Sequence, residues 1–179
     1  MNETIYLAGG CFWCTEAIFN EIDGVVNVVS GYSGGTMTDP TYEDVCTDKT
    51  GHAETIRVIF DDSKITLRDI LEIFFETHDP TTLNRQGEDV GTQYRSAVFY
   101  TNDDQRKLVT SVIKELTDKH RFSKPIVTQV EKFTSFYPSE DYHHNYFARN
   151  GNAPYCRSVI SPKVQKFRKN FKDRIRVNL

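Results

Sequence analysis

The sequence predicts an α+β fold, a two-layer sandwich of helices on a mixed or antiparallel sheet, closed by a C-terminal helical extension. Three observations lead there. Segments with strand and helix patterns follow one another as strand, helix, strand, strand, helix, strand, helix, strand. The strands are short, so a doubly wound parallel sheet is the weaker expectation. No repeat or linker interrupts the 179 residues, which predicts a single domain over 1–179 with a substantial core.

The elements follow in order. Ile5-Tyr6-Leu7-Ala8 reads as a strand. Gly9-Gly10 permits a tight turn into a helix that begins after Cys11 and runs to about Asn20. Asp23-Gly24 turns the chain into the β-branched run at residues 25–29, a second strand. Residues 31–35, with three glycines, read as a flexible loop, and residues 40–46 as a short helix or turn. Ile56, Val58 and Phe60 alternate with Thr55, Arg57 and Ile59, the pattern of a half-buried strand. Thr66 can cap a helix with Ile70, Leu71, Phe74 and Phe75 on one face, which His78-Asp79-Pro80 stops.

Residues 81–92 are polar and irregular, a long loop of the kind that often carries function. Residues 97–100 form a strand, and Asn102 or Asp103 starts a helix carrying Leu108, Val109, Val112, Ile113 and Leu116. Pro125 precedes a strand at 126–130, and an aromatic-rich stretch with His143-His144 follows. Pro162 sits in the first turn of a last helix whose apolar face is Val164, Phe167, Phe171 and Ile175.

Composition narrows the function. A formal charge of −3 gives no electrostatic case for nucleic acid. The basic residues of the last helix, Lys163 to Arg176, read as a solvated face. No stretch is long and apolar enough to span a membrane, and no signal-peptide pattern opens the chain. Four unevenly spaced cysteines do not resemble a secreted disulfide framework, so they read as thiols of a reducing, cytoplasmic compartment.

Cys11 is the best nucleophile candidate. It sits where a strand ends and a helix begins, and helix N-terminal N–H groups favour a thiolate over a thiol. Phe12 and Trp13 beside it read as the wall of a pocket for a small apolar group such as a methyl. Cys14 completes a C-x-x-C pair, either as a disulfide partner for Cys11 or as a core residue. The pair could also form half of a zinc site, but no second C-x-x-C or H-x-x-x-H follows. Glu54, if it points into an aromatic pocket, stays protonated and ready to donate. Tyr42, Tyr94 and Asp89 lie in loop-like contexts, where packing and an Asx-type turn are the plainer uses. His143 and His144 point different ways, and neither reads as a ligand.

The combination resembles the peptide-methionine (S)-S-oxide reductases, the class A methionine sulfoxide reductases. The matching stretches are Gly10-Cys11-Phe12-Trp13-Cys14-Thr15-Glu16, Gly31-Tyr32-Ser33-Gly34-Gly35, Thr41-Tyr42-Glu43-Asp44-Val45-Cys46 and Gly51-His52-Ala53-Glu54. Further on come His78-Asp79-Pro80-Thr81-Thr82, residues 86–96 and Glu140-Asp141-Tyr142-His143. The resemblance implies a sandwich related to the ferredoxin-like arrangement. It implies Cys11 as the attacking thiolate, Phe12 and Trp13 around the substrate methyl, and Glu54, Tyr42 and Tyr94 as proton and hydrogen-bond donors to the sulfoxide oxygen. Asp89 would help orient the substrate. A second thiol would resolve the resulting sulfenic acid, with Cys156 expected ahead of Cys14. The resemblance also implies oxidised proteins, peptides and free methionine sulfoxide as substrates, and thioredoxin or another thiol as reductant. No metal or organic cofactor is implied, and a monomer is expected. A thioredoxin-like disulfide oxidoreductase built on Cys11 and Cys14 is the alternative, though it leaves Glu54, Tyr42 and Tyr94 without a task.

Overall fold

The computed structural model describes residues 1–176. Its frame is a six-stranded mixed sheet. β1 (Asn2–Gly9) leads through α1 (Phe12–Phe19) to β2 (Val25–Ser33), and α2 (Tyr42–Cys46) precedes β3 (Ala53–Asp61). α3 (Leu67–Glu76) is followed by a small hairpin, β4 (Arg85–Gln86) and β5 (Asp89–Val90), and by a 3₁₀ turn at Thr92–Tyr94. β6 (Ser96–Tyr100), α4 (Asp103–Asp118), β7 (Gln129–Lys132) and β8 (Phe136–Pro138) complete the sheet. α5 (Tyr146–Arg149), a π-helical turn at Cys156–Ile160 and α6 (Ser161–Asn170) form the C-terminal extension.

The strands lie in the order β7-β6-β1-β3-β2-β8. Among the described strands only β6 and β7 run parallel, joined by the α4 crossover. One face of the sheet, through Ile5, Leu7, Ile56, Val58 and Val98, carries the helices and the main core. The other face is small, with Tyr6, Ala8, Ala53, Ala97 and Phe99 covered by Phe133 and Phe136. The expected α+β class and mixed sheet are therefore present.

Local chemistry explains the helix starts. Thr66 accepts the Asp69 N–H at 3.1 Å while Asp69 accepts the Thr66 N–H, a complete capping box. Thr41 and Asp44 build the same device for α2. Asn102 accepts the Gln105 N–H at 2.9 Å and starts α4.

Four expectations need correction. Residues 31–33 are not a loop: Gly31, Tyr32 and Ser33 pair with β3 on one side and β8 on the other. Gly31 is required by close approach, because a Cβ there would lie 2.5 Å from the Tyr137 carbonyl oxygen. The strand expected at 126–130 begins at Gln129, since the Val127 N–H bonds the Pro80 carbonyl instead of a ladder partner. The last helix ends at Asn170, and Ile175 bridges to Ile22. The basic residues from Lys163 to Arg176 are not simply solvated either. Arg168 pairs with Glu21, Arg174 with Asp69 at 2.9 Å, and Arg176 donates to the Asn20 carbonyl, so these charges clamp the extension to the body.

Candidate active site

Cys11 occupies the N-cap position of α1, directly after the β1 strand end. Gly10 makes the turn with φ of +94°, and a Cβ there would lie 2.6 Å from Gln86 Cγ. Gln86 has little freedom to retreat, since its side chain exchanges two hydrogen bonds with the Asp79 backbone at 2.9 and 3.0 Å. The hairpin carrying Asp89 is thus packed directly against the turn that presents Cys11.

The Cys11 thiol does not behave as its position suggested. Burial pushes it well above the ordinary thiol range, helped by its hydrogen bond with Cys14 and by the charge of Glu54. The Trp13 backbone N–H acts in the other direction, but one N–H at the start of a short helix is outweighed by desolvation. Cys14 is drawn below the ordinary range, first by its hydrogen bond with Cys11 and against the effect of burial.

Glu54 lies in β3 opposite Tyr32 and is 1 % exposed. Its Oε1 accepts the Phe12 N–H at 3.2 Å, and its Oε2 has no partner. Burial raises its pKa to about 8, so near neutral pH it is a carboxylic acid with a free oxygen. Tyr42 and Tyr94 converge on it: after burial, the charge of Glu54 is the next largest influence holding both phenols neutral. Tyr94 also senses Cys11. The structure therefore brings Cys11, Glu54, Tyr42 and Tyr94 into one site.

Phe12 is fully buried, and its ring lies 5.7 Å from Tyr32 and 5.1 Å from His143. Trp13 is half-buried and held by two neighbours. Its indole N–H donates to His143 Nδ1 at 3.0 Å, and its ring stacks on Tyr146 with centroids 3.7 Å apart. Indole is donor only, so Nδ1 must be the acceptor and His143 is neutral with its proton on Nε2. Burial supports this by lowering the His143 pKa to about 4.

Residues 139–146 support the site from one side, a role that no local sequence pattern announced. Glu140 accepts the Tyr42 N–H and the Tyr32 hydroxyl, both at 3.0 Å, and so fixes the start of α2. The Asn145 N–H donates to buried Glu16 at 2.8 Å, and Ser30 donates to the same carboxylate at 2.9 Å. These partners lie about a hundred residues or more from the groups they hold, with Ser30 the one near neighbour. The one available signal was the motif Glu140-Asp141-Tyr142-His143 itself.

The remaining expected residues are distributed differently. Asp89 Oδ2 accepts the Tyr155 hydroxyl at 2.6 Å. Cys156, the next residue, is fully buried in the main core, in a π turn packed against α1 and α6. Its nearest ionisable influence is Cys14. Cys46 is an exposed thiol beside Tyr42. Among the described residues, no group of three His, Cys, Asp or Glu side chains is arranged to hold a metal.

A thiol at a helix start, a second thiol bonded to it, and a neutral buried acid flanked by phenols define a thiol oxidoreductase. The chain belongs to the peptide methionine sulfoxide reductase family, whose model matches residues 3–175. It is 55 % identical over 176 residues to the peptide methionine sulfoxide reductase MsrA of Saccharolobus solfataricus, covering 98 % of each chain. It is similar to reduced Mxr1 from Saccharomyces cerevisiae, with a TM-score of 0.79 and 35 % identity, covering 87 % of this chain and 89 % of that one. It also resembles Mxr1 solved in complex with Trx2, with a TM-score of 0.55 and 28 % identity over 81 % of this chain and 84 % of that one.

Proposed function

We infer that this chain reduces the S epimer of methionine sulfoxide, in peptides and as the free amino acid, and so repairs oxidised proteins. The observation that carries the reading is Glu54, a buried carboxyl with a free oxygen beside Cys11 and two phenols. A sulfoxide oxygen holds much of the negative charge of its S–O dipole, and its departure needs protons. Neutral donors aimed at it stabilise the charge that develops.

In this reading Phe12 and Trp13 hold the substrate methyl and Asp89 orients the substrate. Glu54 protonates the oxygen while Tyr42 and Tyr94 donate hydrogen bonds to it. The Cys11 sulfur attacks the sulfoxide sulfur. Cys11 gives up its proton, the sulfoxide S–O bond breaks and the oxygen leaves as water; a water then adds to the Cys11 sulfur, the new S–S bond breaks, methionine leaves, and Cys11 is oxidised by two electrons to the sulfenic acid. Cys14 then attacks the Cys11 sulfur, water leaves, and a disulfide remains. Its hydrogen bond with Cys11 favours Cys14 as the resolving thiol, and Cys156 stands second. Thioredoxin, the kind of partner seen with Mxr1, returns the dithiol. No metal or organic cofactor enters these steps.

The strand order β6-β1-β3-β2, built from β1-α1-β2-β3-α3-β6, supports a relation to the ferredoxin-like arrangement. We read the chain as one catalytic domain over 1–179, a monomer of the reducing cytoplasm. All four of its cysteines are free, and no described helix is long and apolar enough to cross a membrane.

A single-turnover assay tests the reading. Reduced protein is mixed with each epimer of a blocked methionine sulfoxide without reductant, and thiols are counted before and after. One methionine from the S epimer alone, with two thiols lost and a Cys11–Cys14 disulfide mapped, is the expected result. Methionine from neither epimer would return the disulfide oxidoreductase reading.

A further inference from the structure

Tyr42 and Tyr94 come from segments far apart in the chain, and the segment that carries Tyr42 has little core of its own. α2 is five residues long, with Val45 its one buried side chain. A helix this short does not persist by itself in water. Polar contacts tie it at both ends. At its start, Glu140 accepts the Tyr42 N–H at 3.0 Å. Just past its end, Asp48 Oδ1 accepts the Thr92 N–H at 2.7 Å and the Thr92 hydroxyl as well. The Asp48 N–H donates to the Val45 carbonyl at 3.1 Å, so Asp48 moves with the helix.

Thr92 opens the 3₁₀ turn that Tyr94 closes. Gly91 stands at the cap position of that turn and offers no side chain, so Asp48 supplies the acceptor from across the chain. The turn is held on its other side too. Arg95 donates to the Thr92 carbonyl at 3.0 Å and to Gln129 of β7 at 2.9 Å, and the turn packs against β3, the strand of Glu54. The Tyr42 ring lies 6.4 Å from the ring of Phe12, the residue whose N–H donates to Glu54. Asp48 itself holds a left-handed backbone, with φ of +65°, as the residue after a helix C-cap often does. Glycine takes that conformation freely, whereas aspartate is strained in it. The strain is offset by a contact that glycine cannot make.

We propose that Asp48 is a positioning residue for the reduction step, a tether that sets α2 against the Thr92–Tyr94 turn and so fixes where Tyr42 and Tyr94 aim their hydroxyls beside Glu54. This rests on the reading of both phenols as donors to the sulfoxide oxygen. Phe12 and Trp13 take no part in the tether, so its loss should disturb the donors to the oxygen and spare the methyl pocket.

The test compares the wild type, Asp48→Gly and Asp48→Asn in single turnover with the blocked S sulfoxide over a range of concentrations, with urea unfolding alongside. Asp48→Gly relieves the strained φ as it removes the acceptor, so its stability should stay near the wild type's. Its saturating rate of methionine formation should fall about tenfold or more, since misplacing a catalytic group by ~1 Å costs up to about 10²-fold. The half-saturating sulfoxide concentration should stay unchanged, the mark of an interaction made only in the transition state. Asp48→Asn keeps an acceptor oxygen and tolerates the left-handed backbone, and should restore most of the rate. A wild-type rate in Asp48→Gly would overturn the proposal. So would an Asp48→Asn as slow as Asp48→Gly, because the charge and not the tether would then matter. Tyr42→Phe and Tyr94→Phe separate the tether from the reading beneath it. Slow phenol variants beside a fast Asp48→Gly defeat the tether alone, whereas wild-type rates in both phenol variants defeat the donor assignment and the tether with it. If Asp48→Gly does not fold, Thr92→Val removes the hydroxyl half of the same contact. A smaller fall in the saturating rate is then expected, and an unchanged rate would overturn the proposal.

Discussion

Replacing Glu54 by Gln should make the protein more stable and nearly inactive. Burial raises the Glu54 pKa from the ordinary 4.5 to about 8. Each pH unit of displacement is worth about 1.4 kcal/mol, so ionising Glu54 in place costs about 5 kcal/mol. The sign follows from proton counts. Between pH 4.5 and about 8 the unfolded chain has lost this proton while the folded chain keeps it. Stability from this group is therefore fully present below pH 4.5 and declines as pH rises through the folded pKa of about 8. At pH 7 the wild type has given up about 3 kcal/mol. Gln can still accept the Phe12 N–H and has no proton to lose, so Glu54→Gln should recover most of that amount. Urea unfolding of both proteins at pH 5 and pH 7 reads it directly: a gap of about 1 kcal/mol at pH 5 that widens to about 3 kcal/mol at pH 7. Single-turnover methionine formation by the variant should fall about 10²- to 10⁴-fold, the usual value of a general acid. In the wild type that rate should decline above about pH 8. A variant no more stable at pH 7, together with a wild-type rate that holds to pH 9.5, would refute the account of Glu54 as a buried neutral acid.

Two other substitutions probe the frame around Cys11. Gly10→Ala places a side chain at a positive φ and against a doubly bonded Gln86. It should cost at least about 1–3 kcal/mol in thermal or denaturant unfolding. It should also slow methionine formation by moving Cys11. His143→Phe leaves the Trp13 indole N–H without its acceptor. A loss of about 1–3 kcal/mol is expected, with KM for the sulfoxide rising more than kcat falls. His143→Gln, which retains an acceptor, should restore part of both.

Much of the site was legible because its chemistry is local. Cys11, Phe12, Trp13 and Cys14 share one helical turn, and Gly10 before them marks the backbone turn that presents them. The helix caps at Thr66 and Asn102 are written within four residues of chain. Residues 31–33 misled because glycines that suggest flexibility can equally mark close packing between strands. Only the neighbouring strand β8 distinguishes the two. The long loop at 81–92 contains a hairpin of two two-residue strands that braces Gly10, a contact between residues far apart in sequence.

The sequence by itself determined the α+β class, the nucleophile's place between strand and helix, and the set of acid and phenols that resemblance placed with it. The tertiary structure alone decided their ionisation and their partners. Cys11 keeps its proton and Glu54 stays neutral because burial outweighs the field of a short helix, and burial is a property of the whole core. Likewise Tyr155 reaches Asp89 while Cys156 lies in the core, because a π turn packed on α1 and α6 directs one neighbour to the site and the other inward.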